Sequence, residues 1–171
     1  MPIVSKLEAA QRILREAIRL FFEQRDPIAI HTLAAASQQV LRDLAKKLLA
    51  GSVGVLHDHP SLRQDQREDW IRLLNEPRNF FKHADKDGGR TIEFDGVLNE
   101  LLLIDAVCIL ARLSKSPQVE SSIYAAWFEL RYPTAAGSFP DNEALIYCRR
   151  NGVSWDAFPE FAKLCQTNAL G

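Results

Sequence analysis

The sequence predicts an all-α protein: an up-and-down bundle of four to five helices carrying a small helical extension at its C-terminal end. Three observations predict it. Apolar residues recur at helical spacing in successive segments. An acidic or hydroxyl side chain followed by proline, which suits the start of a helix, recurs between those segments. No strand-like stretch is long enough to anchor a sheet, and no internal repeat divides the chain. We place the bundle in residues 1–131 and the extension, packed on it, in residues 132–171.

The first helix is expected from about Val4 to Gln24. Leu7, Ala10, Ile13, Leu14, Ala17, Ile18, Phe21 and Phe22 trace one stripe, with Lys6, Arg12, Arg15, Glu16 and Arg19 off it. Asp26-Pro27 then caps and starts a second helix, about Pro27 to Ala50, whose alanines allow close approach of a neighbour. Gly51 and Gly54 flank its end, where a positive φ is useful. A third segment, about Ser61 to His83, presents Trp70, Leu73, Leu74 and Phe81 on one face. Pro77 interrupts it, and a kink or restart is expected near Asn75 to Pro77.

Ala84 to Arg90 reads as a polar turn, and Thr91 to Phe94 as a short extended piece. The fourth helix, about Val97 to Ser114, is apolar over more than half its circumference and belongs deepest in the core. Ser116-Pro117 opens a fifth, through about Leu130. Tyr132 to Asp141 is rich in Pro, Gly and Ser and reads as a loop. Two shorter helices follow, about Asn142 to Arg150 and Trp155 to Gln166, the second capped by Ser154.

Composition narrows the function. The chain has 171 residues, with 21 basic against 22 acidic side chains and a formal net charge of -1, so no broad positive field coats a duplex. Between Ser61 and Arg90 the balance is seven basic to six acidic, yet Arg78 to His83 contains no acid. Any nucleic-acid contact is therefore confined to one small cleft with few phosphate contacts and a shallow salt dependence. Cys108, Cys148 and Cys165 are widely spaced and odd in number, which argues against a disulfide framework or a zinc ribbon. With no signal-peptide pattern and no apolar run of membrane-spanning length, the expectation is a cytoplasmic protein without membrane contact.

One stretch carries chemistry: Leu74-Asn75-Glu76-Pro77-Arg78-Asn79-Phe80-Phe81-Lys82-His83. A guanidinium offers a planar fork to phosphate oxygens, and an imidazole titrates near neutral pH. Residues five apart lie about 140° apart around a helix, with about 7.5 Å of rise, so Arg78 and His83 do not share one face. The long Arg stem, fraying near Ala84 or a two-fold axis would bring them together. The last route favours a dimer, because an isologous interface doubles whatever lies on the axis.

This R-N-x-x-x-H pattern at the end of a bundle helix resembles the HEPN superfamily. The segment Ala29 to Lys47, AIHTLAAASQQVLRDLAKK, is similar to the second helix of bacterial HEPN-like proteins of unknown role. The resemblance covers about Val4 to Lys115. It implies metal-independent RNA cleavage of toxin or defence type in a homodimer, with an antitoxin protein as a further partner and no cofactor. Arg78 would neutralise the scissile phosphate, His83 would transfer protons, Asn79 would orient its neighbours and Lys82 would add positive potential. The alternative is a non-catalytic HEPN-like module that binds a nucleotide or a protein, with Arg78 and His83 simply complementing the helix C-terminus.

The remaining candidates read as structure. His57-Asp58-His59 lacks a visible fourth ligand, so no metal site is expected. His31 reads as a core or interface histidine, with a site role as the alternative. Asp43 and Lys47 form an i,i+4 pair, Asp85 and Asp87 are turn residues, and Gly88-Gly89 has neither the strand nor the lysine of a phosphate loop. Trp127, Phe128 and Tyr132 are expected to pack the extension, and Cys108 to be a small buried hydrophobe.

Overall fold

The computed structural model describes residues 3–49, 54, 56, 63–83, 88–114, 116, 118–133 and 142–167. Seven α-helices run through these residues, in the order α1 Lys6–Phe22, α2 Pro27–Leu48, α3 Gln64–Phe80, α4 Val97–Leu113, α5 Val119–Arg131, α6 Glu143–Asn151 and α7 Phe158–Thr167. Among the described residues there is no strand, and the chain is all-α as the periodicity predicts.

The capping chemistry sets the first two helices. Ser5 Oγ accepts from the Glu8 N–H at 3.1 Å. Asp26 Oδ1 accepts from the N–H groups of Ile28 and Ala29 at 2.9 and 3.0 Å, with Pro27 at the first helical position. Each cap satisfies donors that have no partner within the helix and is worth about 1 kcal/mol. The stripe of α1 is buried at Ala10, Leu14, Ala17, Ile18 and Phe22. It lies on the small-residue face of α2, so closely that Ser37 Oγ of α2 donates to the main-chain carbonyl of Ala10 at 2.9 Å.

The most extensive helix packing joins α1 to α2 and α2 to α4. From Leu102 to Val107 every residue of α4 is buried, which matches the central place its apolar circumference predicts. Burying a Leu or Ile side chain contributes roughly 1.5–3 kcal/mol, and Leu102, Leu103, Ile104, Ile109 and Leu110 all do so here.

The second half closes on α1 through aromatic rings. Phe21 meets Trp127 edge-on with centroids 4.8 Å apart, and Phe22 stacks on Phe161 of α7 at 5.2 Å. Trp127 is fully buried, and its Nε1 donates to the Trp155 carbonyl at 2.8 Å, just before α7. Asn142 serves two helices at once: Oδ1 caps Ala144 and Leu145 of α6, and Nδ2 donates to the Ser122 carbonyl of α5. Gly152 ends α6 at φ 64°, the left-handed conformation in which a side chain is strained.

Several boundaries differ from the sequence expectation. Helix α3 runs unbroken through Pro77, and no restart occurs there. Proline removes only its own donor; the Pro77 carbonyl still accepts from the Phe81 N–H at 2.9 Å, and the ring is buried. Helix α5 begins at Val119, two residues after the expected start, with Gln118 at the cap position and no side-chain cap bond. The last helix begins at Phe158 rather than Trp155, because residues 154–157 form a turn closed by Ala157 N–H to the Ser154 carbonyl. Residues 91–95 form no regular element. The triplet His57-Asp58-His59, the turn residues Asp85 and Asp87, Gly51, Pro117 and most of the loop after Tyr132 lie outside the described residues.

Gly54 matters for space, and its φ is not positive. A Cβ there would lie 2.7 Å from Asp105 Oδ1. That carboxylate is fully buried and accepts from Gln38 Nε2 at 2.7 Å and from the Leu56 N–H at 3.0 Å, so it has no room to withdraw. We expect Gly54→Ala to destabilise the protein by about 1–3 kcal/mol, the usual cost of forcing atoms into a packed site. Urea denaturation checks this, with exposed Arg72→Ala as the near-neutral control; equal midpoints for the two variants contradict the crowding.

Candidate functional site

Arg78 lies in the last turn of α3 and is half-buried against α2. Its Nη1 donates to Gln39 Oε1 at 2.6 Å. The same amide donates from Nε2 to Asp43 Oδ1 at 3.0 Å, one turn further along α2. Both ends of the Gln39 amide are thus assigned, its oxygen to a donor-only guanidinium and its nitrogen to an acceptor-only carboxylate. A neutral amide fixes the position of Arg78 and leaves its positive charge uncompensated. Asp43 is drawn to Gln39 instead of forming the expected pair with Lys47; no ion pair joins those two among the described residues.

Beneath Arg78 is a buried imidazole. Asn99 of α4 donates from Nδ2 to the Pro27 carbonyl at 2.9 Å, which turns its Oδ1 toward His31 Nδ1, also at 2.9 Å. Nδ1 must therefore carry the proton, and Nε2 is a bare lone pair. Nε2 is buried and has no hydrogen-bond partner. Phe94 and Phe81 pack on the ring at 5.0 and 5.6 Å, both near perpendicular. Burial, first of all, holds the imidazole below its usual pKa; the nearby Arg78 charge acts in the same direction and the Asn99 hydrogen bond opposes them.

The other candidate residues stand in solvent. Asn79, Lys82 and His83 are all exposed. The Asn79 main-chain carbonyl accepts from the Lys82 and His83 N–H groups at 3.2 and 3.1 Å, which folds these two residues back over the end of α3. Arg78 and His83 share no hydrogen bond. A single chain therefore presents a fixed guanidinium beside an exposed ammonium and an exposed imidazole. Such a set can bind an anion and move a proton, provided both residues reach one ligand.

Two surface grooves among the described residues lie elsewhere. One follows the outer side of α3 along Gln66, Trp70 and Leu73, and the other runs between Phe22 and Phe158. Among the described residues no group of three or more His, Cys, Asp or Glu side chains is arranged to hold a metal ion. Cys108, Cys148 and Cys165 are free thiols, and burial pushes them up to about 11, about 11 and about 12, so they are not nucleophiles at neutral pH. No described helix is long and apolar enough to cross a membrane.

Sequence reasoning names Arg78 and His83 but misses Gln39 and Asn99. Both left a signal. Gln39 lies eight residues after His31 in α2, about 80° around the helix from it, at the edge of the face that His31 buries. Asn99 is a polar residue in the most apolar helix, where a buried amide must find partners. No family model, no curated protein and no solved structure matches the chain.

Two outcomes follow from the geometry. His31 has a folded-state pKa below that of the unfolded chain, so the unfolded state binds more protons as pH falls through about 6.5. Its contribution to stability is complete above that pH and is lost on acidification. The melting temperature of the wild type should drop between pH 7.5 and pH 5.5 by more than that of His31→Gln; parallel curves speak against a neutral buried imidazole. Removing the amide in Gln39→Ala should cost about 1–2 kcal/mol in urea unfolding, the range for a hydrogen bond to a charged group.

Proposed function

We propose that this chain is an HEPN-like protein, built on an up-and-down bundle of four to five helices. In this reading it contacts RNA through Arg78, Asn79, Lys82 and His83 as a homodimer. The observation that carries the reading is the Arg78–Gln39 hydrogen bond at 2.6 Å: an arginine at the end of a bundle helix is fixed in place by a partner that does not neutralise it. Such a guanidinium is prepared for an anion at no cost in ordering. The exposed Lys82 and His83 beside it supply an ammonium and an imidazole.

In a dimer, two copies of His83 would face one phosphodiester. The neutral imidazole takes the proton of the ribose 2′-hydroxyl as O2′ bonds to phosphorus. The P–O5′ bond breaks, and the protonated imidazole gives its proton to O5′. A 2′,3′-cyclic phosphate and a 5′-hydroxyl result, with Arg78 stabilising the charge on the non-bridging oxygens. No step calls on a metal or a cofactor. A role as a toxin or defence endoribonuclease restrained by an antitoxin protein, in a reducing cytoplasm where the three thiols stay free, belongs to the same reading.

One observation favours the second reading, a module that binds a nucleotide or a protein without cutting. Arg78 and His83 do not meet in a single chain, and Gln39 already occupies one guanidinium donor. Cleavage of mixed RNA without added metal separates the two. We expect His83→Ala to lose about 10²–10⁴-fold in rate, as for a general acid–base group, and Arg78→Ala to lose about 10²–10³-fold, as for a charge-stabilising donor. RNA binding without cleavage supports the second reading, and absence of both activity and binding rejects the first and the RNA-binding form of the second.

A further inference from the structure

The face of α2 that holds Arg78 carries a second guanidinium. Arg42 lies three residues after Gln39, less than one helical turn further along α2, about 4.5 Å along the axis. Its side chain is half-buried, and its Nε is enclosed without a hydrogen-bond partner. Among the described residues Arg42 takes part in no ion pair. An enclosed guanidinium nitrogen with no acceptor is costly, and native side chains rarely retain one without a use for the rest of the group. Packing holds the stem, so the two terminal nitrogens are set with little freedom left to lose on binding.

Among the described residues no acid pairs with this charge. Asp43, the next residue, receives the Gln39 amide. On α3, Glu76 is paired with Arg90 and Asp69 with Arg72. We propose that Arg42 is a second phosphate-binding residue, placed beside Arg78 so that the ligand spans two consecutive phosphates of a single RNA strand. This rests on the RNA reading given above and sharpens it: the ligand is a strand running from the α3 terminus onto α2, and a lone nucleotide monophosphate fills half the site. Asp43 sets a negative charge at the edge of this track and moderates the affinity.

Equilibrium binding of a fluorescent uridine 12-mer, measured between 50 and 300 mM salt, tests the proposal. Arg42→Met keeps the buried stem and removes the charge, whereas Arg42→Lys keeps the charge. Thermal melts of each variant confirm folding. Arg42→Met should weaken binding about tenfold at low salt and reduce the slope of log affinity against log salt by about 0.7, the value for one phosphate contact to a single strand. Arg42→Lys should retain most of the slope, and Asp43→Asn should tighten binding. If Arg78→Ala weakens binding while Arg42→Met matches the wild type in affinity and slope, the second phosphate contact is wrong and the RNA reading stands. If the wild type does not bind the 12-mer, or Arg78→Ala leaves its binding unchanged, the RNA reading fails and takes this inference with it.

Discussion

The Asn99 amide is the contact on which the arrangement of the site depends. It reaches from the start of α4 to the start of α2, giving one proton to the Pro27 carbonyl and accepting one from His31 Nδ1. Without it the N-terminal turn of α2 and the imidazole would each have a buried polar group unsatisfied, at roughly 1–3 kcal/mol apiece. With it, the tautomer of His31 is fixed, the ring stands between Phe81 and Phe94, and the end of α3 has a rigid floor.

Among the described residues helix α3 has few packing partners besides that floor. Its packing is chiefly on α2, and Leu74 and Pro77 are its buried residues. The Trp70 indole adds one anchor by donating to the Leu56 carbonyl at 2.7 Å, and Leu56 is itself held by Asp105. Three polar links of different kinds therefore place α3: an amide to a guanidinium, an indole to a carbonyl, and a ring contact to the buried histidine. Each draws on a partner rooted in α2 or α4, so two helices that pack extensively on each other set the position of Arg78.

The helices were legible because burial follows periodicity. The stripe of α1 and the wide apolar surface of α4 are both found where the pattern of Ala10, Leu14 and Ile18 or of Leu102, Leu103 and Ile109 puts them. Asp26 announced its cap because a carboxylate side chain satisfies helix-terminal donors locally. Pro77 misled, since the rule for proline weighs the lost donor and takes no account of an enclosing neighbour. The site was only half legible. Arg78 and His83 are five residues apart in the chain and visible as a pattern, whereas Gln39 and Asn99 reach it from 39 residues before Arg78 and 68 residues after His31. Which nitrogen of His31 holds the proton is decided by Asn99 and Pro27 together, and sequence spacing carries no such information.

Among the described residues, three ion pairs that join one helix to another share a helix. Arg19 of α1 meets Glu120, Arg131 meets Glu100 of α4, and Arg149 of α6 meets Glu129, and in each case the other partner belongs to α5. The Arg131 guanidinium also lies 4.3 Å from the Trp155 ring centroid. The junction of α2 with α4, by contrast, is held by amides, an imidazole and one buried carboxylate. Dissolved salt acts differently on these two kinds of contact: partly exposed charges are screened within about 8–10 Å at physiological ionic strength, and enclosed hydrogen bonds hardly at all. Dissolved salt therefore weakens only the ionic part of the α5 junctions, whose aromatic packing it leaves untouched, and hardly reaches the α2–α4 junction. Arg78 is set by a side chain of α2, so its placement is largely insulated from the same ions that would compete for its ligand.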